Sequence, residues 1–243
     1  MKIIKYCIIF FLLIIITFYN GDKLVSEQCG KISDYVYADG ECNVIASNRN
    51  ASKYVALTFD DGPCVKNTTE ILEILKEHDI KATFFIVGEN ADKNPEIVKM
   101  IHKDGHEIGN HTYTHPNLRT IPQDEIEEEI SKCSRSLKNI TGSSPILFRP
   151  PGGYLNNNIV NYLEENNMKT ILWSWRQDTL DWKCPPANDI INTVLSNIRD
   201  GDIILFHDFI PGTSHTPQAL RTIIPELISK GYKFVTVSDL TAI

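Results

Sequence analysis

The sequence has little positive charge for its length. It contains 24 lysines and arginines against 31 aspartates and glutamates, a formal net charge of −7 over 243 residues. A nucleic-acid-binding protein needs a basic face to neutralise phosphates, so we expect no nucleic-acid partner. The densest acidic run, QDEIEEEI, coincides with apolar residues at helical spacing, which are Ile126, Ile130, Cys133, Leu137 and Ile140. We interpret these acids as the solvated face and the first turn of an amphipathic helix.

The sequence also has few cysteines, and none of its six lies at CxxC spacing. This excludes a zinc cluster built from paired cysteines. Cys7 falls in the apolar N-terminal run, and the remaining five are odd in number, so at least one is free or paired between chains. Cys29 and Cys42 are close enough along the chain to close a small loop.

The one long apolar run lies at the N-terminus. Residues 6–19 are uncharged and follow Lys2 and Lys5, as in the n-region and h-region of a secretory signal. A small-x-small cleavage site is lacking, and the run is short for a spanning helix of roughly 17–25 residues. We predict either a signal peptide or an uncleaved membrane anchor over residues 1–20. Both alternatives export the rest of the chain, and the second associates the protein with the membrane.

Two further segments follow this run. Residues 21–52 are polar and rich in turn residues without clear periodicity, which predicts a linker or stalk. Residues 53–243 are long enough for one domain with a sizeable core.

The pattern after Lys53 alternates between short β-rich runs and amphipathic stretches. The strand candidates are YVALTFD, ATFFIVG, HEIGNH, PILFRPPGG, KTILWSW, DIILFHD and KFVTVSDL. Besides the acidic helix, we predict helices over about 67–78, 95–104, 156–166, 188–199 and 217–230. This alternation indicates an α/β fold of about seven parallel strands with crossover helices. A barrel and a doubly wound sheet both fit the pattern.

Polar residues interrupt these apolar runs at the strands' C-terminal ends. They are Asp60, Asp61, His111, Arg149, His207 and Asp208. The carboxyl ends of parallel strands share one rim, where active sites are built. Residues far apart in sequence are therefore predicted to converge.

The chemistry at that rim points to a metal. HTYTH places His111 and His115 four residues apart, a spacing that lets two imidazoles hold one ion. A carboxylate from the neighbouring strand end would complete three ligands with open positions, as a catalytic metal needs. Such a metal lowers the pKa of water and makes a nucleophile at neutral pH.

Hydrolysis of a carbonyl compound also needs a base, an oxyanion donor and an acid. The aspartate of the DD pair that does not bind the metal can act as base, with Arg149 holding it in its charged form. Gly152 in RPPGG can offer its backbone N–H to an oxyanion. His207 can protonate a departing amine, and Asp181 in DTLDW can orient that imidazole.

Five motifs together resemble the polysaccharide deacetylases, the NodB-homology domain of carbohydrate esterase family four. They are TFDDGP, HTYTH, RPPGG, DTLDW and LFH, in the family's order over about residues 53–243. The resemblance implies a distorted (β/α) barrel and removal of N-acetyl groups from polymers that contain GlcNAc. It also implies one divalent metal ion, with zinc as the first choice and cobalt, nickel or manganese as alternatives.

The resemblance also implies a role for each matching residue. Asp60 is expected to be the general base, partnered by Arg149, and His207 the general acid, partnered by Asp181. The expected metal ligands are Asp61, His111 and His115. Trp182 would form a wall of the sugar groove and Leu205 would line the pocket for the acetyl methyl group. The chain departs from the family at Gly152, where other members carry a tyrosine, and Tyr154 is a candidate to replace that side chain.

We therefore expect an exported, metal-dependent N-deacetylase, with peptidoglycan GlcNAc as the favoured substrate. Alternative substrates are MurNAc, chitin oligomers, poly-GlcNAc and O-acetylated xylan. Two alternatives belong to other classes. One is a non-catalytic glycan-binding module, and the other is a structural metal site closed by Cys64 or Cys184 as a fourth ligand.

Overall fold

The computed structural model describes residues 44–243. The predicted signal or anchor over 1–20, the linker up to residue 43, and Cys7, Cys29 and Cys42 lie outside the described residues. The three cysteines within the described range, Cys64, Cys133 and Cys184, are free thiols. None of the helices formed by residues 44–243 combines the length and hydropathy that crossing a bilayer requires.

The described chain forms one eight-stranded sheet in which all strand pairs are parallel. Its strands are β1 Val44–Ile45, β2 Tyr54–Asp60, β3 Thr83–Ile86, β4 Glu107–Asn110, β5 Leu147–Phe148, β6 Lys169–Ile171, β7 Asp202–His207 and β8 Lys233–Phe234. The order is β1-β6-β5-β4-β3-β2-β7, and β8 pairs with the first residues of β2.

Helices connect these strands. They are α1 Asn67–Glu77, α2 Gly88–Lys93, α3 Pro95–Lys103, α4 Gln123–Thr141, α5 Asn157–Glu165, α6 Ala187–Asn197, α7 Thr216–Ser229 and α8 Val237–Ala242. Two short 3-10 turns, Pro151–Gly153 and Asp181–Lys183, lie in the third and fourth motifs. Apart from α2 and α8, the helices fall where the amphipathic stretches predicted them.

Irregular chain lies along one edge of the curled sheet. After β6, Ser174 N–H donates to Ile203 O at 2.9 Å, and Leu205 N–H donates to Gln177 O at 2.9 Å. The segment 174–178 thus runs beside β7 in place of a regular strand. The predicted distorted barrel of about seven parallel strands is confirmed, and the doubly wound alternative is not.

The folded unit begins earlier than the predicted boundary at residue 53. The compact unit already includes residues 44–52, because β1 pairs with β6 and Ser47 bridges to Asp202 in β7. A two-residue strand is too short to show periodicity in the sequence. Residues 44–52 are therefore part of the domain, although their composition is typical of a linker.

The last predicted strand is wrong over most of its length. KFVTVSDL contributes only Lys233–Phe234 to the sheet, and Val237–Ala242 forms α8. Thr236 caps this helix, since its side chain accepts from Asp239 N–H at 3.2 Å. The cap overrides the β propensity of the preceding residues.

The core positions the rim by packing aromatic rings across three strands. Phe59 of β2 stacks on Phe84 of β3 and Phe206 of β7, with ring centroids 5.0 and 5.7 Å apart. All three rings are fully buried. This packing fixes β2 between its neighbours, and the β2–β7 register places Asp60 directly opposite His207.

Candidate active site

The adjacent aspartates at the end of β2 point to different partners. Asp60 is the last residue of the extended strand, whereas Asp61 has a φ of 76°. Aspartate tolerates this left-handed conformation better than most residues. The turn separates the two carboxylates, so that Asp60 contacts Arg149 while Asp61 faces the two histidines of HTYTH.

Asp61, His111 and His115 converge as predicted for metal ligands. Asp61 Oδ1 lies 3.3 Å from His111 Nε2 and 3.1 Å from His115 Nε2. The ligand atoms of the three residues all lie within 4.8 Å of one another. Three N and O donors around one point suit a divalent ion such as zinc, with positions left for other ligands.

Two further observations fit a cation at this point. Asp61 Oδ1 is buried and makes no hydrogen bond of acceptable geometry, despite the nearby imidazoles. An orphaned buried carboxylate oxygen is costly unless a cation compensates it. Burial acts to raise the pKa of Asp61, but the imidazoles of His111 and His115 outweigh it and hold that pKa far below its ordinary value. The carboxylate is therefore ionised and available as a ligand.

The tautomer of His111 is set by the backbone. Its Nδ1 lies 2.7 Å from Arg149 O, and a carbonyl oxygen can only accept. Nδ1 therefore carries the proton. The Nε2 lone pair faces Asp61 and the point where a metal ion would bind. The backbone of the third motif thus orients a predicted ligand in the second motif.

Arg149 and Asp60 form a buried ion pair. Arg149 Nη1 donates to Asp60 Oδ1 at 2.7 Å and to Thr58 Oγ1 at 2.8 Å, and the arginine is fully buried. Burial lowers the pKa of Arg149, and the Asp60 carboxylate opposes that effect. Because Oδ1 is engaged by the arginine, Oδ2 remains free; it lies 3.8 Å from His111 Nε2.

His207 is held by a second buried carboxylate. Its Nδ1 lies 2.6 Å from Asp181 Oδ1, and its backbone N–H donates to Asp181 Oδ2 at 2.9 Å. The hydroxyl of Thr216, at the start of α7, donates to the same Oδ2 at 2.6 Å. Burial lowers the pKa of His207, but Asp181 outweighs it and raises that pKa to about 9.

Comparison with known proteins decides the family. Residues 47–171 match the family model described as polysaccharide deacetylase. The chain belongs to the polysaccharide deacetylase family. A peptidoglycan-N-acetylglucosamine deacetylase of Bacillus cereus is 42% identical over 191 residues, which cover 79% of this chain and 89% of that protein.

Solved structures agree with the sequence match. One is a peptidoglycan N-acetylglucosamine deacetylase in complex with 4-naphthalen-1-yl-N-oxidanyl-benzamide. It has a TM-score of 0.78 at 42% identity and covers 82% of this chain and 93% of its own. Another is a family 4 acetyl xylan esterase from Clostridium thermocellum in complex with a cobalt ion. It has a TM-score of 0.71 at 34% identity, and the match covers 78% of this chain and 91% of that one.

The residues predicted to contact substrate lie in different surroundings in this deacetylase. Gly152 is exposed with a φ of 60°, a conformation that glycine adopts without strain. Trp182 is 49% exposed on the turn that carries Asp181, so its ring is available for a sugar. Leu205 is buried in β7, two residues before His207. Tyr154 packs against the cluster around Phe148, with the Arg119 guanidinium 5.1 Å from its ring centroid.

Three residues near the site were not assigned a role from the sequence. Thr216 contacts Asp181, as described above. Asp208 is buried; its Oδ1 accepts from Gly62 N–H at 3.0 Å, and its Oδ2 lies 2.6 Å from Thr68 Oγ1. Burial raises the pKa of Asp208 to about 7.

Glu129, in the acidic run, contacts the loop between His111 and His115, so that run is not purely a solvated face. Only Asp208 had a usable signal, its position at the end of a strand.

Proposed function

We propose that this protein is a divalent-metal-dependent N-deacetylase that removes acetyl groups from GlcNAc residues of peptidoglycan. The observation that carries the proposal is the convergence of the Asp61, His111 and His115 group with Asp60 and His207 at one rim. The peptidoglycan deacetylases among its relatives support the choice of polymer. Zinc is the proposed ion, because two imidazoles and one carboxylate are ligands that it favours.

The proposed metal would be held by Asp61 Oδ1 and by Nε2 of His111 and His115. When bound, it would supply Lewis-acid polarisation and a water nucleophile at neutral pH. The chain's own residues then account for the proton transfers and for the position of the substrate.

Asp60 is the proposed general base. Its Oδ1 is fixed by Arg149 Nη1, so Oδ2 is the oxygen that takes the proton from the attacking water. As this proton leaves, the water oxygen bonds to the acetyl carbonyl carbon. The Gly152 backbone N–H is the proposed donor to the oxygen that gains charge, and the exposed glycine leaves that side of the turn open.

His207 is the proposed general acid. With a pKa of about 9, the imidazole is protonated at neutral pH. Nδ1 is engaged by Asp181, so Nε2 delivers the proton to the amide nitrogen. The C–N bond breaks, acetate leaves, and the sugar retains a free amine.

The alternatives from other classes fit less well. A structural metal site needs a fourth protein ligand, but within residues 44–243 the clustered group contains neither Cys64 nor Cys184. Cys64 Sγ instead lies 3.3 Å from Asp208 O, and Cys184 Sγ lies 3.7 Å from Pro211 O. A non-catalytic glycan-binding module would not need the base, the acid and their two buried partners together.

The cell wall is the proposed place of action, which requires export. The apolar run near the N-terminus is the proposed export signal or membrane anchor, and anchoring would place the enzyme beside its polymer. An antibody against the domain should detect it outside the cytoplasmic membrane, and deletion of residues 1–20 should retain it in the cytoplasm.

Acetate release tests the activity. The domain should release acetate from a GlcNAc oligomer and from purified peptidoglycan with zinc or cobalt present, and lose this activity after chelation. Faster release from O-acetylated xylan than from both GlcNAc polymers would change the substrate assignment. No acetate from any of these polymers, with metal bound, would reject the deacetylase proposal.

A further inference from the structure

The loop that carries the two histidines is conformationally strained. Thr112 has a φ of 64° and His115 a φ of 58°, and neither is glycine. Residues in this region cost of order 1–3 kcal/mol each and persist only where their surroundings determine them. Something must therefore hold residues 111–115 in place, and the contacts of the loop show what does.

Glu129, on the face of α4 toward this loop, makes three contacts with it. Its Oε2 accepts from the backbone N–H groups of Tyr113 at 2.9 Å and of Thr114 at 2.7 Å. Its Oε1 accepts from the Thr114 hydroxyl at 3.0 Å. Two successive backbone N–H groups turned to one side form a concave anion site, and here a carboxylate of the same chain fills it.

The opposite side of the loop contacts α2 through backbone groups and through Tyr113, whose hydroxyl donates to Asp92 Oδ2 at 2.9 Å. The first N–H groups of α2, at Gly88 and Glu89, donate to Thr112 O at 3.0 Å and to Tyr113 O at 2.8 Å. The loop is thus held between α2 and α4. Glu129 is the charged group that accepts from the backbone N–H groups of the loop, and charge-assisted hydrogen bonds are roughly twice as strong as neutral ones.

We infer that Glu129 is a positioning residue that holds the HTYTH loop so that the Nε2 atoms of His111 and His115 face Asp61 before a metal binds. This inference rests on the proposed metal site. Removing a residue that orients the metal ligands without touching the metal typically lowers metal affinity by 10–100-fold. Other contacts also hold the loop, so we expect an effect near the lower end of that range.

A neighbouring glutamate provides a matched control. Glu128 lies on the same helix turn, but its carboxylate pairs with Arg135 at 2.6 Å on the surface. Glu128→Ala changes the net charge and the helix propensity as Glu129→Ala does, without touching the loop. Glu129→Gln is a milder variant, because one amide oxygen can still accept from both N–H groups.

The experiment has two readouts, and neither is turnover. The first is amide hydrogen exchange at Tyr113 and Thr114 in the metal-free protein. We expect exchange about tenfold faster in Glu129→Ala, an intermediate rate in Glu129→Gln, and the wild-type rate in Glu128→Ala. The second is a cobalt titration followed by visible absorbance. We expect the Kd to rise about tenfold in Glu129→Ala and to change less than twofold in the control.

Each failure has a distinct pattern. Wild-type exchange rates at both amides in Glu129→Ala would show that the carboxylate does not hold the loop. Faster exchange with an unchanged cobalt Kd would show that holding the loop does not position the ligands. If the wild-type protein itself bound no cobalt, the proposed metal function would fail together with this inference. If Glu129→Ala does not fold, Glu129→Gln decides between these outcomes.

Discussion

The two sides of the active site are built differently. On the proposed metal side the His115 side chain is 43% and the Asp61 side chain 24% accessible, whereas His111 is buried, and one strained loop carries both histidines. On the proposed acid–base side the Asp181 and Arg149 side chains are fully buried, and the regular strands β2 and β7 carry the proposed base and acid. The side chains of the acid–base side have partners within the protein, whereas the metal side keeps an orphaned oxygen that a cation would satisfy.

This difference predicts how each side responds to change. Substitutions on the buried side should act on the free energy of folding and on the proton transfers. Perturbations of the metal side should act chiefly on metal affinity. The four predictions below test that separation.

The largest effect is expected from Asp60→Asn. Loss of the proposed base should lower kcat by about 10²–10⁴-fold. The cobalt Kd should stay within about threefold of wild type, because Asp61 and the histidines provide the proposed ligands. Acetate release and a cobalt titration measure the two quantities, and loss of cobalt binding would show that the roles of the two aspartates are exchanged.

Arg149→Met should cause the largest loss of stability. It leaves the Asp60 carboxylate buried without its cation, which typically costs about 3–5 kcal/mol of unfolding free energy. Lys99→Met is the control, since its 2.7 Å pair with Glu96 is exposed and such pairs contribute about 0–1 kcal/mol. Urea denaturation compares the two variants. Equal decreases in unfolding free energy for the two variants would mean that the buried Arg149–Asp60 pair stabilises the fold no more than the exposed pair does.

The pH dependence of stability should report the His207–Asp181 pair. The folded-state pKa of His207, about 9, lies above its ordinary value of 6.5. The pair therefore stabilises the fold fully below about pH 6.5, and this contribution, on the order of 3 kcal/mol, is lost as the pH rises through 9. The unfolding free energies of wild type and His207→Gln, measured with chelator present, should converge from pH 6.5 to 10. A constant difference would contradict the assigned shift.

The smallest effect is expected from Thr216→Val. The variant keeps the shape of the side chain but removes one hydrogen-bond donor to Asp181 Oδ2. Loss of a hydrogen bond to a buried acceptor typically lowers the free energy of unfolding by about 1–3 kcal/mol. We expect kcat to fall about tenfold with KM nearly unchanged, and the alkaline limb of the pH profile to shift. Thr216→Ser should restore most of the rate. Equal rates for the valine and serine variants would leave Thr216 with a packing role only.

The sequence was sufficient to predict the parallel α/β fold and the convergence of residues from four strand ends. Motifs at those ends are readable because a polar residue after an apolar strand breaks a strong pattern. Glu129 was not predictable in this way, because a carboxylate that caps a loop looks the same in sequence as one facing water. Thr216 had no signal at all, since it meets Asp181 only through the path of the loop after β7. The strand β1 was not predicted, because two residues are too few to show an alternating apolar pattern.

The register between β2 and β7 has a consequence for how this site can diversify. Asp60 and His207 are opposed residues of neighbouring strands, and Asp208 N–H donates to Asp60 O at 3.2 Å just beyond them. The backbone positions of the proposed base and acid are therefore held at the spacing of adjacent β-strands, about 4.8 Å, which the loops do not set. Trp182 and Gly152, the proposed sugar contacts, lie on the turns at 181–183 and 151–153, so insertions or substitutions there would leave that spacing unchanged. The sheet therefore fixes the backbone positions of the proposed catalytic residues. We expect the loops to determine which glycan binds.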